Sequence, residues 1–586
     1  VQKSEQQLTP LQRDLDSLGK RLGVIVLILS FMVFMSLVFA NADYDLDEAF
    51  FVSIAVAVAA IPEGLPSIVT ITLALGVNRM VKKNAIVRRL PSVETLGSTT
   101  VICTDKTGTI TKNEMTVRYI YLPSDQVAIS GIGFEREGSF YKVSGPESCL
   151  EQAEIHDTAD LDSSNELQML LKTGQLCSTA ALTQNPQEEG DWKVRGDPTE
   201  GALLVAAEKA GLHSDVTRLE YEEITEISFD STRKRMTTIC RDQDGGYWAF
   251  AKGAPEVILE RSSKILMQNK EASLDDSVRK EVNEANAAIA SCAMRVLALA
   301  YRVLPDYSED WSDDQVESNL VFIGMVGMID PPRDGVIEAI EKSKRAGIRP
   351  IMVTGDHALT AGSIAQSVGL TSSNAEAVTG IQLSKMTDEE LDKAVRERDI
   401  FARVAPEHKL EIVRALRRQN QVVAMTGDGV NDAPAIKTAD VGIAMGIRGA
   451  GVTKESSDLV LADDNFASIV SAIEEGREIY TNIKKFVRFL LSANAGEVIL
   501  VFTMVMLGLP VPLTPVMILW INLVTDGPPA IALAFDPAPE GIMDQPPRKP
   551  GSRMLDRGMF RVILLGGLLA TAAAGIVYLT VLWTGI

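Results

Sequence analysis

Cysteine is scarce in this sequence, with five residues among 586, and none of them is spaced as C-x-x-C. All five lie between residues 103 and 292, in a polar part of the chain. A disulfide framework or a cysteine zinc site is therefore not expected, and the thiols are predicted to be reduced and cytosolic. The sequence also lacks a G-x-x-x-x-G-K-[ST] segment, which excludes a P-loop as the means of holding a nucleotide.

Positive charge is also in deficit, because 57 Lys and Arg residues face 78 Asp and Glu residues, a formal net charge of −21. Proteins that bind the phosphate backbone by releasing counterions are usually basic, so nucleic acid is not an expected partner. Hydrophobic residues, in contrast, make up 46% of the chain. Its length predicts two or more domains.

The apolar residues are concentrated in five segments, each long enough to cross the ~30 Å hydrocarbon core of a bilayer as a helix. These segments are residues 22–40, 49–77, 489–508, 513–535 and 562–586. Basic residues cluster at 79–89, 484–488 and 548–557, which by the positive-inside rule predicts that residues 78–488 form a large cytoplasmic head. We expect a multi-pass membrane protein, in the plasma membrane if prokaryotic and otherwise in an internal or plasma membrane.

A β-branched run, residues 100–104, ends at Asp105 in a glycine-containing loop. The carboxyl end of a strand is where an open α/β sheet places its active site. A carboxylate at that position can attack a phosphoryl group and form an aspartyl phosphate. The Asp-x-Thr pattern alone is more often a helix cap, so the phosphate hypothesis depends on further segments.

Three later segments supply the remaining groups for phosphate chemistry. A second strand ends at Thr354 and Gly355, whose hydroxyl and backbone suit phosphoryl oxygens. Lys409 can neutralise phosphate charge, and a third strand leads to Asp428 and Asp432, which suit Mg²⁺. In this order the segments predict a haloacid-dehalogenase-type fold.

The motifs DKTGT with Ile110 and Thr111, TGD at 354–356 and GDGVNDAPA at 427–435 resemble those of the P-type ATPase family. The resemblance implies that Asp105 is the phosphorylated nucleophile and that Mg²⁺ binds at Asp428, together with Asp105 and Thr107. It implies a catalytic set made of Asp105, Lys106, Thr107, Thr354, Gly355, Asp356, Lys409, Asn431 and Asp432.

Further segments match the stretches with which that family binds ATP. Phe229 can stack on adenine, although an ordinary core aromatic is the alternative, while Lys252 and Arg295 can pair with phosphates. Asp330 to Arg333 is predicted to be the hinge back into the phosphorylation domain. The full set implied for the nucleotide is Glu200, Phe229, Lys252, Gly253, Arg295, Thr354, Gly355, Asp356, Arg403 and Lys409.

Three carboxylates lie within the apolar segments: Glu63, Glu497 and Asp526. A carboxylate in a membrane span is costly and is by default a functional candidate. Pro62 and Pro66 lack N–H donors and leave backbone carbonyls free beside Glu63. No span contains His or Cys, so oxygen ligands predict a hard cation such as Ca²⁺.

The segments IPEGLP, NAGE and NLVTDG resemble those of calcium pumps of the sarcoplasmic-reticulum type. The resemblance implies one ion site made by the carbonyls of Val58, Ala59 and Ile61 with Glu63, Asn522 and Asp526. It implies a second site with ligands from Asn494, Glu497, Thr525 and Asp526. Pumps for Mn²⁺, Na⁺/K⁺ or H⁺ share part of this pattern and stay open as alternatives.

The predicted fold is multidomain α/β with transmembrane helices: a Rossmann-like phosphorylation domain, an inserted α+β nucleotide-binding domain and five membrane helices. The predicted boundaries are 1–83 for a stalk and two membrane helices, 84–114 and 331–466 for the phosphorylation domain, 115–330 for the nucleotide-binding domain, and 467–586 for a stalk helix and three membrane helices. A continuous helix is expected from Ser468 through Lys484 into the third span.

The family's TGE(S) loop, which belongs to its actuator domain, is not found in this sequence. Two spans before residue 22 and three after the last are also missing relative to the family. The chain is therefore expected to be the core of a longer ATP-hydrolysing cation pump, with the missing parts as its partners. A non-cycling fragment and a membrane-anchored phosphatase of the same fold are the alternatives.

Overall fold

The computed structural model describes residues 10–40, 45–59, 64–131, 133–146, 164–184, 192–292, 294–305, 311–372, 376–549, 552 and 554–584. The predicted ion ligands Ile61 and Glu63 lie outside these residues. The chain divides into two compact units. The first comprises Val1–Asp105, Gly335–Val353 and Val378–Ile586, and the second comprises Lys106–Asp334 and Thr354–Ala377.

The strands are β1 (Ala85–Val87), β2 (Val101–Thr104), β3 (Thr116–Tyr121), β4 (Gln126–Ile129), β5 (Phe140–Lys142), β6 (Ala181–Gln184), β7 (Trp192–Arg195), β8 (Tyr221–Asp230), β9 (Arg235–Asp242), β10 (Tyr247–Gly253), β11 (Ser262–Met267), β12 (Lys270–Ser273), β13 (Arg295–Leu304), β14 (Leu320–Ile329), β15 (Arg349–Val353), β16 (Val378–Thr379), β17 (Ile400–Ala402), β18 (Val423–Gly427), β19 (Val441–Met445) and β20 (Leu459–Leu461).

The α-helices are α1 (Pro10–Ala40), α2 (Leu46–Ala59), α3 (Leu65–Lys82), α4 (Pro91–Gly97), α5 (Asn165–Leu176), α6 (Pro198–Lys209), α7 (Ser214–Glu220), α8 (Pro255–Arg261), α9 (Asp276–Ser291), α10 (Asp313–Val316), α11 (Val336–Arg345), α12 (Ala358–Ser367), α13 (Gly380–Leu383), α14 (Asp388–Glu397), α15 (Pro406–Arg418), α16 (Ala433–Thr438), α17 (Gly451–Ser456), α18 (Phe466–Met506), α19 (Pro515–Trp520), α20 (Gly527–Ala534) and α21 (Arg557–Thr584).

The first unit contains an eight-stranded sheet in the order β1-β20-β19-β18-β2-β15-β17-β16. All neighbouring strands are parallel except β1, which runs antiparallel to β20. Strand β2 lies between β18 and β15, so the three strands predicted to carry the phosphate chemistry are adjacent. Their buried residues pack with α14, α15 and α16 into one core.

The second unit is built on a mainly antiparallel ten-stranded sheet. Eight strands follow the order β5-β4-β3-β14-β13-β10-β9-β8, while β11 pairs with β14 and β12. Helices α5 and α6 contribute to one buried cluster of this sheet, and α8 and α9 contribute to a second. The mixed α and β content agrees with the predicted inserted domain, whose boundaries stay a prediction.

The long helix α18 runs without a break for 41 residues, from Phe466 to Met506. At about 1.5 Å per residue its length is roughly 60 Å. This confirms the continuous helix predicted from Ser468 into the third apolar segment. The helix is bonded to α11, which precedes strand β15: Lys342 of α11 forms an ion pair with Glu474 at 2.8 Å, and Arg477 donates to the carbonyl of Ala346 at 3.0 Å.

Three helical segments among the described residues are long and apolar enough to cross a membrane: Phe466–Met506, Pro515–Ala534 and Arg557–Thr584. They correspond to the last three predicted spans. Gly23–Phe39, in the first predicted span, is a shorter apolar helix. The second predicted span contains α2 and α3, which are separated by residues outside the described part. The first two spans therefore stay predictions.

Candidate active site and cation site

Asp105 directly follows β2 in the middle of the eight-stranded sheet, at the carboxyl end of the strand. Its backbone N–H donates to the hydroxyl of Thr426, the residue of β18 that precedes Gly427, at 3.3 Å. The side chain keeps about a fifth of its surface exposed. A carboxylate that is anchored through its backbone and partly open to solvent is placed to act as a nucleophile.

Lys409 joins two of the predicted catalytic carboxylates. It lies in the first turn of α15, and its Nζ is 2.8 Å from Asp105 Oδ2 and 2.8 Å from Asp432 Oδ1. Burial alone would lower the pKa of Lys409, but the charges and hydrogen bonds of the two carboxylates raise it overall. The ammonium is thus held positively charged beside Asp105, where incoming phosphate oxygens would need compensation.

The loop after β18 is fixed by its own backbone and by Asp432. Asp432 Oδ2 accepts from the N–H groups of Asp428 at 3.3 Å and Gly429 at 3.2 Å. Gly427 is required here, because a Cβ on it would lie 2.5 Å from the Cβ of Asp432. The Thr453 hydroxyl donates to the Gly429 carbonyl at 2.7 Å.

The electrostatics around Asp428 fit the predicted Mg²⁺. Burial raises the pKa of Asp428, the nearby charges of Asp105 and Asp432 raise it further, and Lys409 offsets only part of this. Three carboxylates beside one ammonium leave an excess of negative charge, which a divalent cation can neutralise. Among the described residues, no three His, Cys, Asp or Glu side chains form a ready metal site. Mg²⁺ commonly takes only one or two carboxylates and completes its shell with phosphate oxygens and water.

Replacing Asp428 with asparagine should make the protein more stable without Mg²⁺ and less able to use Mg²⁺. The neutral amide removes the repulsion that raises the Asp428 pKa, so we expect the thermal midpoint in EDTA at pH 7 to rise by about 2–4 °C. The Mg²⁺ concentration required for phosphorylation should rise about tenfold or more. Thermal unfolding and Mg²⁺ titrations of labelling test both effects.

The stability gain should also depend on pH. Because the folded-state pKa of Asp428 is raised, its penalty disappears as pH falls and the carboxyl group becomes protonated. The difference between variant and native protein should therefore shrink towards pH 4 to 5. The exposed Asp388→Asn serves as the control and should shift neither quantity. An Asp428→Asn protein that is less stable than native at pH 7 in EDTA would contradict this account.

The second unit brings together other residues predicted for the phosphate. Lys106 is buried, and its Nζ is 2.5 Å from Asp356 Oδ2 and 3.6 Å from Asp330 Oδ2. The N–H of Asp356 donates to the hydroxyl of Thr354 at 3.3 Å. A Cβ on Gly355 would meet open space, so the backbone there is accessible. Thr107 precedes Gly108, whose φ of 78° requires glycine in this turn.

The predicted hinge at 330–333 is bound to the segment that follows the DKTGT motif. Thr111 Oγ1 donates to Asp330 Oδ2 at 2.6 Å, and Arg333 Nε donates to the carbonyls of Gly108 and Thr111 at 3.2 Å each. These contacts were not predicted from the sequence, and neither were the hydroxyls of Thr426 and Thr453. For Thr426, its place directly before the GDGVND motif was the available signal.

Three of the predicted nucleotide residues meet at the start of α6. Glu200 Oε1 pairs with Lys252 Nζ at 2.6 Å, and Arg295 Nη1 donates to Thr199 Oγ1 at 3.1 Å. Burial raises the pKa of Glu200, but Lys252 and hydrogen bonds from Thr179 lower it overall. Lys252 is buried and is already paired with Glu200, so its ammonium is not free to face solvent. Its contact with nucleotide stays a prediction.

Phe229 lies near the end of β8 with 62% of its surface exposed, which makes the core-aromatic alternative wrong. The adjacent strand β9 places Arg235 opposite both Asp230 and Gly253, so the Phe229 turn and the Lys252–Gly253 segment lie at the same end of the sheet. Arg403, in the first unit, is an exposed residue with φ of 51° after β17, and Asn431 is exposed in the loop after β18.

The apolar helices of the first unit contain buried polar groups that have no hydrogen-bond partner among the described residues. Asn494 and Glu497 of α18, with Asn522 and Asp526 of the fourth apolar segment, are all buried. Six of their atoms have no hydrogen-bond partner among the described residues: Asn494 Nδ2, Glu497 Oε1 and Oε2, Asn522 Nδ2 and Oδ1, and Asp526 Oδ2. Buried polar atoms are nearly always satisfied, and a bound ion or an ordered water satisfies those that lack a protein partner.

The backbone near these groups is also irregular. Residues Ile521–Thr525 form a π-helical turn between α19 and α20, and the N–H of Asp526 donates to the carbonyl of Ile521 at 2.9 Å. Such turns are frequent at functional sites. Oxygen donors are the ligands that a hard cation such as Ca²⁺ prefers.

Not every predicted ion ligand is buried like Asn522 and Asp526. The side chain of Thr525 is exposed, so it does not share the burial of Asn522 and Asp526. Val58 and Ala59 are the last described residues of α2, next to residues outside the described part. These ligand roles stay predictions.

Two family models match the chain: "P-type ATPase, cytoplasmic domain N" at residues 166–335 and "Cation transporting ATPase, C-terminus" at residues 510–586. The chain is 44% identical over 566 residues to a calcium-transporting ATPase of Bacillus subtilis, covering 96% of this chain and 62% of the relative. It is 40% identical over 582 residues to calcium-transporting ATPase 1 of Lactococcus lactis, covering 98% and 62%.

A third relative, the endoplasmic reticulum-type calcium-transporting ATPase 2 of Arabidopsis thaliana, is 38% identical over 644 residues, covering 99% of this chain and 60% of the relative. The chain thus spans about three fifths of the length of these relatives. The predicted family and fold class are confirmed. With these domain matches and with identities that extend along nearly its whole length, the chain belongs to the P-type ATPase family.

Proposed function

We propose that this protein is an ATP-driven pump that moves Ca²⁺ out of the cytosol through an aspartyl phosphate at Asp105. The observation that carries the choice of a cation pump is the set of buried, unpaired oxygens on Glu497, Asn522 and Asp526. A phosphatase of the same fold has no use for such groups in apolar helices. The names of the relatives, calcium-transporting ATPases, support Ca²⁺ among the cations.

In the proposed phosphorylation step, a carboxylate oxygen of Asp105 attacks the γ-phosphorus of ATP. The new P–O bond forms as the bond to the β-phosphate oxygen breaks, and ADP leaves with that electron pair. Lys409 compensates the negative charge that gathers on the phosphoryl oxygens. Mg²⁺ bound at Asp428 would supply further charge compensation. The Glu200, Phe229 and Arg295 region holds the nucleotide in this proposal.

We further propose that α18 couples the phosphate chemistry to the ion. The helix contacts α11, which precedes strand β15 of the phosphorylation sheet, through the ion pair of Glu474 with Lys342 and through the bond from Arg477 to the Ala346 carbonyl. Five turns further on, it carries Asn494 and Glu497 among the buried polar groups. Phosphorylation that tilts the helix would therefore change the access of the cation to these groups. The protein works in a lipid bilayer as a multi-pass membrane protein.

The experiment that tests the function is phosphoenzyme formation from [γ-³²P]ATP with Ca²⁺, Mn²⁺, Na⁺ and K⁺ supplied in turn to the full-length protein in membranes. Acid-stable label that depends on Ca²⁺ at micromolar concentration is the expected result. Label that depends on one of the other cations would reassign the transported ion. An absence of acid-stable label with all four cations would overturn the pump proposal.

A further inference from the structure

We propose that Glu317 is a positioning residue for ATP, which acts by fixing the turn that carries Phe229. The proposal rests on the nucleotide site proposed above. Phe229 precedes the turn of residues 230–234 that joins β8 to β9, and Glu317 directly follows α10. Glu317 has no exposed surface, so it cannot touch a nucleotide and has to act through its neighbours.

The Glu317 carboxylate is the centre of a buried hydrogen-bond network. Both of its oxygens accept from Arg233 Nη1 at 3.0 Å, Oε2 accepts from Arg235 Nε at 2.6 Å, and Oε1 accepts from Thr237 Oγ1 at 2.9 Å. One carboxylate therefore binds two guanidinium groups that lie next to each other. Charge-assisted bonds of this kind are about twice as strong as neutral ones.

Arg233 carries the connection from Glu317 to Phe229. Its Nη2 donates to the carbonyl of Ser228, the residue immediately before Phe229, at 2.6 Å. Its backbone N–H donates to Asp230 Oδ1 at 3.0 Å, directly after Phe229. Arg233 thus binds the residue on each side of the exposed ring, the backbone carbonyl of Ser228 before it and the carboxylate of Asp230 after it, while its guanidinium is held from the interior by Glu317.

The same turn is held at its other end by Gly253. A Cβ on Gly253 would lie 2.6 Å from the carbonyl oxygen of Lys234, and the N–H of Ala254 donates to that carbonyl at 3.0 Å. Lys234 takes a left-handed backbone conformation with φ of 52°, as a tight turn requires. The network thus fixes the Phe229 turn relative to the Lys252–Gly253 segment of the same proposed site.

A fixed turn matters because Phe229 is mostly exposed. A ring that is already held in its binding position pays little conformational entropy when adenine stacks on it. If Glu317 is neutralised, Arg233 and Arg235 face each other without their shared anion, and the turn opens. Affinity for ATP should fall, while the chemistry at Asp105 should stay intact.

The test measures phosphoenzyme formation by the full-length protein carrying Glu317→Gln or Arg233→Lys. We expect the KM for ATP to rise about tenfold, which corresponds to part of the binding free energy that one stacked base contributes. Maximal labelling should stay unchanged. Labelling of Asp105 from inorganic phosphate, which needs no nucleotide, should equal that of the native protein and shows that the variants fold. Asp313→Asn is the matched control, because its carboxylate is exposed and lies 3.6 Å from the same Arg233.

A double variant separates this proposal from the nucleotide site on which it rests. Phe229→Ala should raise the KM, and adding Glu317→Gln to it should raise the KM no further, because Glu317 acts through Phe229. If the double variant raises the KM by the product of the two single effects, the role of Glu317 is overturned. A normal KM in Glu317→Gln together with a raised KM in Phe229→Ala would overturn it as well. A normal KM in Phe229→Ala would overturn the proposed nucleotide site itself.

Discussion

Asp105→Asn is expected to eliminate acid-stable phosphoenzyme, lowering labelling from ATP by roughly 10³-fold or more. The amide keeps the shape of the side chain and still accepts a hydrogen bond from Lys409, which is 2.8 Å from Asp105 Oδ2 in the native protein. It lacks the nucleophilic oxygen anion, however, so no acyl phosphate can form. Acid-quenched incorporation of ³²P from [γ-³²P]ATP, with Ca²⁺ and Mg²⁺ present, measures the effect.

The control for Asp105→Asn is Asp388→Asn, which makes the same chemical change at an exposed carboxylate of the same unit. It should label like the native protein. Binding of ATP should survive in Asp105→Asn, because the proposed nucleotide residues are untouched. Persistent acid-stable label in Asp105→Asn would mean that another residue is the nucleophile.

The sequence predicted the phosphorylation sheet well because its signals are local. Each of the β2, β15 and β18 strands is a short apolar run that ends in a polar motif, and parallel strands place their carboxyl ends at one edge. The continuous helix α18 was predictable for a similar reason, since its pattern contains no proline. Periodicity and the positions of prolines were sufficient for these elements.

The contacts between distant side chains could not be predicted in the same way. Glu317 is 84 residues from Arg233 along the chain, and Glu200 is 52 residues from Lys252. Lys252 lies in β10 and Arg233 in the turn between β8 and β9, whereas Glu200 lies in α6 and Glu317 follows α10. Such pairs depend on the register of the strands and on tertiary packing, which local patterns do not determine. Lys252 illustrates the limit, because its charge and the resemblance of its segment to the family predicted a phosphate contact but could not predict its ion pair with Glu200.

Buried carboxylates in this protein fall into two kinds, and the difference bears on function. Glu317 receives four hydrogen bonds and Glu200 receives bonds from Lys252, Thr179 and Ala180, so their burial is compensated within the chain. Both oxygens of Glu497 and one of Asp526 receive none from the described residues. An uncompensated buried carboxylate is costly to the fold. In the proposed function, a bound cation supplies this compensation.

Glu497→Gln and Asp526→Asn are therefore expected to raise the Ca²⁺ concentration for half-maximal phosphorylation from ATP by roughly 10²-fold or more. Each change removes one negative charge from the proposed site and keeps the size of the side chain. Because amides bury more cheaply than carboxylates, the variants should fold at least as stably as the native protein without Ca²⁺. The Ca²⁺ dependence of ³²P labelling gives the half-activation value, and Asp105 labelling from inorganic phosphate shows that the phosphorylation site is intact.

Ser492→Ala is the control for both variants and should leave the Ca²⁺ dependence unchanged. Ser492 lies on the same helix as Glu497, and its hydroxyl is bonded to the Arg488 carbonyl. Native Ca²⁺ dependence in both carboxylate variants would remove the transported ion from this part of the membrane domain.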